Sequence, residues 1–396
     1  MEFFNLVKTD ADSSARLGEL VTPHGKIATP VFMPVGSQAT VKAVTPVHLS
    51  DIGFRILLSN MYHLFLRPGI EIIRKLGGLH RFMDWNGAIL TDSGGFQIFS
   101  LSPLREISAE GVKFRSHIDG SEHFITPEDD ILFQEALGAD IIMSLDICPS
   151  FEDSPEKIKE AMERTHEWAV RCRKAHVRQD QALFGIVQGG FNKEWRHDSA
   201  RFITSLDFPG YAIGGLSVGE SKKTTWEIVD ITAALLPENK PRYLMGVGSP
   251  EDILNAVSRG IDMFDSVLPT RVARNGALYT EAGRLNIRNS RWKEEASPVD
   301  STCDCYTCRH FSAAYLHHLF RSEELLAYTL ATIHNLTFIH NLMARVRNSI
   351  KQATFLDFKN SFLKNYQATD ETVRLAQKQR WLENRSRLAF YEKPDG

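Results

Sequence analysis

The chain has 396 residues, of which 43% are hydrophobic and 24% are charged, as in a globular protein with one large domain and an addition. No apolar run approaches the ~18 residues of a membrane span, and the N-terminal stretch MEFFNLVKTD lacks the basic and apolar regions of a signal peptide. The sequence therefore argues against an integral membrane protein, and we expect a cytoplasmic location.

The net charge of −3 conceals an uneven distribution of charged residues. From Arg271 to the C-terminus the chain carries 19 Lys and Arg against 13 Asp and Glu, whereas the preceding residues carry 27 against 36. A polyanion would be attracted to the C-terminal third and its surroundings. On charge alone, a solvated helical surface explains the excess equally well.

Eight short apolar runs recur along the chain, and each ends in glycine or a polar residue. In chain order they are TPVFMPVG from Thr29, RILLSN from Arg55, AILTDSGG from Ala88, ADIIMSLD from Ala139, LFGIVQGG from Leu183, YAIGGL from Tyr211, RYLMGVG from Arg242 and DMFDSVLPT from Asp262. Helix-start sequences lie between several of them, at Thr126, Ser154 and Ser249, where a hydroxyl N-cap precedes proline and an acidic first turn.

This alternation over about 250 residues predicts a parallel α/β fold, and eight repeats favour a (β/α)8 TIM barrel over an open sheet. No glycine-rich dinucleotide fingerprint follows the first strand, which argues against a Rossmann fold. The active site of such barrels lies at the carboxyl ends of the strands. The residues at those ends are Asp92, Asp146, Gln188, Gly214, Gly215, Met245, Gly246 and Asp265.

Beyond the eighth run the pattern changes to a cysteine cluster and then to helical, arginine-rich sequence. We expect a barrel catalytic core over residues 1–275, an appended zinc-binding subdomain over residues 276–345, and a C-terminal helical segment over residues 346–396 that packs on the core.

The sequence CDCYTC supplies three thiolates, from Cys303, Cys305 and Cys308, a density that favours a metal site over a disulfide framework. Tetrahedral zinc needs a fourth ligand, and Cys3His is a common structural set that leaves no open position for catalysis. His310 lies too close to Cys308 to close the site easily, which favours a histidine on a helix. The candidates are His310, His317, His318, His334 and His340.

Asp92 and Asp265 each follow an apolar strand and precede small or polar residues. Two carboxylates on one rim suit glycosyl transfer, in which one attacks the anomeric carbon and the other manages the proton of the leaving group. The alternative is that one of them is a salt-bridged structural acid.

Asp146 and Gln188 suit the recognition of a base. A carboxylate can accept from an N–H and an amino group on a purine edge, while the Gln188 amide or the Gly215 N–H can donate to the adjacent carbonyl oxygen. This set complements guanine and mismatches adenine. Considered alone, Gln188 is better explained as a strand-end residue that bonds to a loop.

The stretch LPTRVARNG places Arg271 and Arg274 on a predicted loop at the rim. Arginines there can hold phosphates or base edges in a forked geometry. The alternative is that they form salt bridges within the rim.

Taken together, these stretches closely resemble the bacterial tRNA-guanine transglycosylases over nearly the whole chain. The motifs that carry the resemblance are TDSGGFQIFSLS, FGIVQGG, AIGGLSVGE, YLMGVGSPEDI, MFDSVLPTRVARNG and CDCYTC…IHNL. The resemblance implies a zinc-bearing (β/α)8 barrel that exchanges the wobble guanine of tRNAs with GUN anticodons (Asp, Asn, His and Tyr) for a 7-deazaguanine in queuosine biosynthesis. It implies three partners: a tRNA anticodon loop, a deazaguanine base and a second copy in a homodimer.

Carried over residue by residue, the resemblance makes Asp265 the nucleophile on the ribose and Asp92 the general acid and base for the departing and incoming bases. Phe96 and Met245 would sandwich the base, and Leu216 and Glu220 would read an aminomethyl group on it. The implied substrate-binding residues are Asp92, Ser93, Phe96, Asp146, Gln188, Gly215, Leu216, Glu220, Tyr243 and Met245.

The resemblance also implies two RNA-contacting segments and a zinc site. The RNA-contacting residues would be Gly246, Val247, Gly248, Ser249, Pro250, Glu251, Asp252, Thr270, Arg271, Val272, Ala273 and Arg274. The implied ligands of one structural Zn²⁺ are Cys303, Cys305, Cys308 and His334.

Two positions depart from the pattern of the family. Phe96 stands where members often have tyrosine, and Ile147 where many bacterial members have glutamate, which makes the base pocket less polar. Val218 resembles the bacterial forms. We therefore expect 7-aminomethyl-7-deazaguanine as the incoming base, with queuine as the alternative.

Three other interpretations are weaker. A non-catalytic tRNA-binding homologue would be expected to lack a catalytic aspartate, yet Asp92 and Asp265 are both present. A barrel glycoside hydrolase would need aromatic side chains on which sugar rings stack, and its activity would not require the basic, cysteine-bearing tail. A metal-dependent barrel hydrolase would want histidines at the strand ends, and the eight runs contain none.

Overall fold

The computed structural model describes residues 3–101 and 105–368; the part of the expected C-terminal helical segment at 369–396 lies outside the described residues. The strands of the described residues are β1 (Phe4–Thr9), β2 (Arg16–Thr22), β3 (Gly25–Thr29), β4 (Val31–Pro34), β5 (Ile56–Asn60), β6 (Ala88–Asp92), β7 (Arg105–Ile107), β8 (Val112–Arg115), β9 (Glu122–Ile125), β10 (Ile141–Met143), β11 (Ala182–Val187), β12 (Gly210–Ile213), β13 (Arg242–Leu244), β14 (Met263–Ser266), β15 (Ala277–Thr280) and β16 (Gly283–Asn286).

Helices fill most of the connections between these strands. They are α1 (Pro46–Ile52), α2 (Met61–Leu66), α3 (Ile70–Lys75), α4 (Gly78–Met83), α5 (Gly95–Leu101), α6 (Pro127–Leu137), α7 (Pro155–Ala175), α8 (Lys193–Ser205), α9 (Lys222–Leu235), α10 (Pro250–Val257), α11 (Leu268–Arg274), α12 (Tyr306–His310), α13 (Ala313–Arg321), α14 (Leu325–Gln352) and α15 (Phe355–Asn365), with a 3-10 turn at Ser290–Trp292. None of the helices in this described part of the chain is long and apolar enough to cross a membrane.

Eight parallel strands form the barrel, in the spatial order β4-β14-β13-β12-β11-β10-β6-β5. The sheet closes where the strands β4 and β5 meet: Val35 bridges to Leu58, and the Gly36 N–H donates to the Leu58 carbonyl at 2.6 Å. Each of the eight apolar runs contains one of these strands, so the predicted (β/α)8 barrel is confirmed.

Alternate residues of the barrel strands face two separate cores. Phe32 and Phe264 pack in the larger cluster with the apolar faces of the helices, whereas their neighbours Met33 and Met263 join the cluster inside the barrel. The antiparallel sheet β1–β2–β3 contributes Phe4 to the same inner cluster, so this sheet closes the amino end of the barrel. Full burial of each large apolar side chain stabilises the fold by about 1.5–3 kcal/mol.

The predicted helix starts are confirmed. Thr126, Ser154 and Ser249 each accept a hydrogen bond from the backbone N–H three residues on, and proline follows each of them in the first turn. These caps satisfy backbone donors that a helix leaves unpaired.

The predicted loop at LPTRVARNG is wrong, because Leu268–Arg274 forms helix α11. Pro269 lies in the first turn, where its fixed φ favours a helix and no N–H is needed. The buried side chains of Val272 and Ala273 give the short helix an inward face.

The long helix α14 ties the C-terminal part to the barrel. Its contacts include α11, α12 and β15 on one side and α1, β4 and β2 on the other. The Arg347 guanidinium donates to the Pro30 carbonyl at 2.8 Å, just before β4. The Asn335 amide donates to the carbonyls of Pro269 and Ala277, each at 3.0 Å, which joins α14 to the start of α11 and to the start of β15.

Candidate active site

The carboxyl ends of the barrel strands bring the predicted polar residues to one rim. Asp92 is the last residue of β6 and Asp265 lies in β14, while Gln188 directly follows β11 and Asp146 lies three residues beyond β10. The two-residue step Gly214–Gly215 follows β12. The fold therefore places these residues at the carboxyl rim, where the strand pattern predicted them.

Asp92 is buried and held by three donors. Its Oδ2 accepts hydrogen bonds from the amides of Asn60 and of Gln97, the latter at 2.9 Å, and its Oδ1 accepts from the Met61 N–H at 3.1 Å. Burial raises the pKa of Asp92 to about 7 against the effect of these donors, and the nearby charge of Asp265 adds to the rise. Near neutral pH, Asp92 can therefore both release and take up a proton.

Asp265 is held by one oxygen only. Its Oδ1 accepts from the Tyr243 hydroxyl at 2.6 Å and from the Gly246 N–H at 2.8 Å. No donor from another described residue reaches its Oδ2. Burial raises the pKa of Asp265 above its usual value, and the donors of Gly246, Tyr243 and its own backbone N–H oppose that rise. The carboxylate thus has one anchored oxygen and one free oxygen.

Asp146 and Gln188 form a buried polar pair. The Gln188 amide nitrogen donates to Asp146 at 2.7 Å, and the Ser93 hydroxyl donates to the other carboxylate oxygen at 3.3 Å. Burial raises the pKa of Asp146 to about 6, so it is mainly ionised at neutral pH. The Gln188 Oε1 is buried and has no hydrogen-bond partner among the described residues. This pair therefore has one acceptor left for a ligand or a water molecule.

The glycines after β12 leave room for that amide. Gly215 has a φ of +69°, and a Cβ built there would lie 2.4 Å from Gln188 Oε1. The fully buried Arg196 of α8 supports the same turn by donating to the carbonyls of Val187, Gly190 and Gly214 at 2.8–2.9 Å. The absence of a side chain at Gly215 is thus a steric requirement of the site.

Glu220 accepts hydrogen bonds mainly from its own loop. Its carboxylate accepts from the N–H groups of Ser217, Val218 and Gly219 at 2.6–3.0 Å and from the Thr225 hydroxyl at 2.6 Å. Leu216, the residue before this turn, is buried. Glu220 therefore fixes the conformation of the loop that follows Gly215.

The predicted stacking residues differ in exposure. Phe96, on α5, is 52% exposed, whereas Met245 is only partly exposed. Tyr243, expected only to pack nearby, is fully buried in the barrel interior and reaches the rim with its hydroxyl. Ile147 is buried, so the departure from glutamate adds an apolar side chain next to Asp146.

The two predicted RNA-contacting segments lie on the rim side of the barrel, one at the start of α10 and the other over the last five residues of α11. The segment Gly246–Asp252 leads into α10, and the Lys222 ammonium lies 2.5 Å from Asp252. In the segment Thr270–Arg274 the side chains of Thr270, Val272 and Ala273 are buried. Arg271 is exposed and Arg274 is partly exposed. These two arginines are therefore the members of that segment that can reach a phosphate.

A second centre lies where the cysteine loop meets α14. The His334 Nδ1 is 3.8, 3.6 and 3.3 Å from the sulfur atoms of Cys303, Cys305 and Cys308. Adjacent ligands of a tetrahedral zinc ion, with bonds of about 2.0–2.3 Å, lie about 3.3–3.8 Å apart. The other ring nitrogen of His334 is 2.7 Å from the Tyr279 carbonyl, which orients the ring as a supporting partner does in metal sites. The four side chains can hold a metal ion.

Sequence reasoning missed three residues around the rim. Asn60 ends β5, so the rule that polar residues at strand ends face the site would have found it. Gln97 stands in the stretch that contains Asp92, but nothing in the pattern distinguishes it. Arg196 lies in a charged helix, and no sequence signal marks it as buried.

Comparison with known proteins gives one consistent result. A family model described as queuine tRNA-ribosyltransferase matches residues 10–368. A protein of that name from Dehalococcoides mccartyi is 60% identical over 383 residues, which cover 97% of this chain and 98% of the relative. Proteins of the same name from Thermoanaerobacter sp. (59% identical; 93% of this chain and 98% of the relative) and Halothermothrix orenii (54%; 92% and 97%) are similar over nearly their whole lengths.

Proposed function

The chain belongs to the queuine tRNA-ribosyltransferase family, and from this premise we propose that it is a tRNA-guanine transglycosylase of queuosine biosynthesis. It would exchange the wobble guanine of tRNAs with GUN anticodons for a 7-deazaguanine base. The observation that carries this proposal is the different hydrogen bonding of the two rim carboxylates. Asp92 has both oxygens occupied by donors, whereas Asp265 has one free oxygen.

In the proposed first step, the free Oδ2 of Asp265 attacks C1′ of the ribose. The bond from C1′ to the guanine nitrogen breaks, its electron pair leaves with the base, and Asp92 supplies the proton that the base needs. The Tyr243 hydroxyl and the Gly246 N–H keep the nucleophile oriented. Covalent capture retains the energy of the glycosidic bond, so no nucleotide cofactor is required.

In the second step the sequence of events reverses. Asp92 removes a proton from the incoming base, whose nitrogen attacks C1′ and displaces the Asp265 carboxylate. A single group must therefore give up and regain a proton within one cycle. A pKa of about 7 for Asp92 suits this double task at neutral pH.

Asp146 and Gln188 would select the base. The ionised carboxylate can accept from the N–H and amino group on the edge of guanine, and the Gly215 N–H or the second N–H of the Gln188 amide can donate to its carbonyl oxygen. Phe96 and Met245 would stack on the two faces of the base.

For the incoming base we propose 7-aminomethyl-7-deazaguanine. The loop from Leu216 to Glu220 borders the base pocket after Gly215, and its backbone carbonyl groups are the acceptors available to an ammonium group, because the Glu220 carboxylate already accepts four hydrogen bonds. Queuine, which is larger, is the alternative.

The remaining partners follow from the same proposal. Arg271 and Arg274 would contact the tRNA backbone, and the Cys3His set would bind one Zn²⁺ that stabilises the fold without taking part in the chemistry.

A homodimer is also proposed. Phe311 and Tyr315 stack with ring centroids 5.3 Å apart, beside the exposed Tyr306. These rings form an aromatic surface on the cysteine-rich part of the chain, which a second copy could cover.

The test is base exchange into a tRNA transcript with a GUN anticodon. The wild-type protein should incorporate radiolabelled guanine into the tRNA, whereas Asp92→Ala and Asp265→Ala should not. Asp198 is an exposed acid on α8, so Asp198→Asn is a control that should behave as wild type. Competition with unlabelled 7-aminomethyl-7-deazaguanine and queuine would then identify the incoming base. A folded, zinc-loaded wild type that incorporates no label while still binding the tRNA would overturn the enzyme and favour a non-catalytic tRNA-binding homologue.

A further inference from the structure

A second group of metal-ligand side chains lies at the opposite end of the barrel from the rim. His24 lies in the turn between β2 and β3, His80 lies on α4, and Asp140 directly precedes β10. One ligand atom from each comes within 4.8 Å of the others. Three segments that are far apart in the sequence thus meet at the amino end of the strands.

The spacing of these atoms suits adjacent ligands of one ion. The His24 Nδ1 lies 2.8 Å from one oxygen of Asp140, and the His80 Nε2 lies 3.2 Å from the other. Around a small divalent cation with bonds of about 2.0–2.2 Å, neighbouring ligand atoms lie about 2.9–3.5 Å apart. The two imidazole rings stack with centroids 3.6 Å apart, and both present a nitrogen to the same carboxylate.

The electrostatics of the group favour a cation. The Asp140 side chain is fully buried, and its carboxylate accepts from the backbone N–H groups of Ile89 at 2.9 Å and His24 at 3.3 Å. In the described part of the chain neither lysine nor arginine forms an ion pair with it. The His80 Nε2 is buried and completes no hydrogen bond, despite its closeness to Asp140. A bound cation would add the opposite charge that no lysine or arginine supplies to this carboxylate, and it would give the His80 Nε2 a partner.

We propose that His24, His80 and Asp140 bind a divalent transition-metal ion of the Zn²⁺, Ni²⁺ or Co²⁺ type, in a site separate from the Cys3His centre. Two imidazoles and a carboxylate are a ligand set that these ions accept. His24 is 36% exposed, so an ion can enter from solvent and keep water as a further ligand. His80 and Asp140 are held by burial.

The ion would act on stability and not on the rim chemistry. It would join the β2–β3 turn and α4 to the base of β10, and an ion that binds only the folded state stabilises that state in proportion to its concentration. Because the site lies at the amino end of the strands, no rim residue is a ligand.

The experiment titrates Zn²⁺ into the full chain already carrying one tightly bound zinc, with calorimetry and the thermal unfolding midpoint as readouts. The wild type should bind a second equivalent and unfold at a higher temperature. His24→Ala and His80→Gln should each weaken the second equivalent by at least about 10-fold, because even supporting partners of a metal site are worth ~10–100-fold in affinity. His197→Ala, which removes an exposed imidazole on α8, should bind as wild type.

A second readout separates the two centres. Co²⁺ at the proposed site should give weak visible absorption without the thiolate charge-transfer bands of a Cys3His site, and this signal should disappear in His24→Ala. A wild type that takes up only one ion, or a His24→Ala variant that binds the second ion as wild type does, would overturn the proposal.

Discussion

The carboxyl rim of the barrel and the cysteine cluster are both polar centres, but they are built in opposite ways. The rim collects one or two groups from each of several strands and keeps atoms free, such as Asp265 Oδ2 and Gln188 Oε1. The cluster takes three ligands from one short loop and one from α14, and all four face one another. This difference is what we expect if the rim binds transient ligands, which need unsatisfied groups, and if the cluster binds a structural metal, which uses all four of its ligands.

The largest effect should come from replacing the carboxylate of Asp265, whose Oδ2 is the free oxygen at the rim. Asp265→Asn should lower guanine exchange by on the order of 10³-fold or more, as loss of a nucleophile does in other enzymes, without lowering the unfolding midpoint. Single-turnover incorporation measures the loss, and a denaturing gel checks for a covalent protein–tRNA complex in the wild type alone. A variant that keeps a tenth of the activity would contradict the assigned nucleophile.

Breaking the cluster should act on the whole fold. In Cys308→Ser the metal content should fall below one per chain, and the free energy of unfolding should fall by at least about 3 kcal/mol, because a closed zinc site contributes folding energy. Metal analysis and urea denaturation give the two numbers. Cys172→Ala, at a buried cysteine outside the cluster, should lose stability but keep its metal.

The raised pKa of Asp92 predicts a cost in stability. Between about pH 4 and 7 the folded protein keeps a proton on Asp92 that the unfolded chain releases, so the contribution of this group to stability falls as pH rises through that window. The Asp92→Asn variant has no carboxyl group to titrate at this position, so its stability relative to wild type should rise by up to about 4 kcal/mol from pH 4 to pH 8. Urea denaturation of both proteins across this range measures the difference.

A smaller change tests the steric requirement at the base pocket. Gly215→Ala places a Cβ 2.4 Å from Gln188 Oε1 and should raise KM for the base by roughly 10–100-fold, which corresponds to the 1–3 kcal/mol of a disrupted buried polar group. The value of kcat should change less. Gly120→Ala is a matched control, because Gly120 has a similar φ of +73° but open space around it. Equal effects of both variants would attribute the loss to backbone strain.

The smallest effect should come from the exposed edge of α11. Arg271→Ala should raise KM for tRNA a few-fold and reduce the salt dependence of binding by about one phosphate contact, without changing KM for the base. Filter binding at several salt concentrations measures this slope. Arg309→Ala, at an exposed arginine of α12, provides the comparison; a base-dependent effect of Arg271→Ala would show that the residue reads the base instead.

The sequence predicts the fold well because its signals are local. Apolar runs and N-cap sequences each act within a few residues, and the eight strands and three helix starts follow from them. Three close cysteines likewise indicate a metal site, and the fold brings His334 to them. The prediction of a loop was wrong at α11, where the buried face of Val272 and Ala273 stabilises a helix.

The hydrogen bonds that tune the rim could not be predicted in this way. Asn60 and Gln97 reach Asp92 because β5 and α5 flank β6 in space, and Arg196 reaches three carbonyls only because α8 packs on β11. Their chemistry is common in surfaces and helices, so their role depends on tertiary position alone. The same holds for the pKa values, whose largest cause at Asp92, Asp146 and Asp265 is burial.

The closure of the barrel between β4 and β5 also has a consequence during synthesis on the ribosome. The strand β4 ends at Pro34, and its other neighbour, β14, begins at Met263. At about 5–20 residues per second, the chain between them takes roughly 10–50 s to be made. Until then β4 has an unpaired edge, and such edges invite pairing with other chains. The barrel can therefore be completed only after β14, which ends at Ser266 of the 396 residues, has been made.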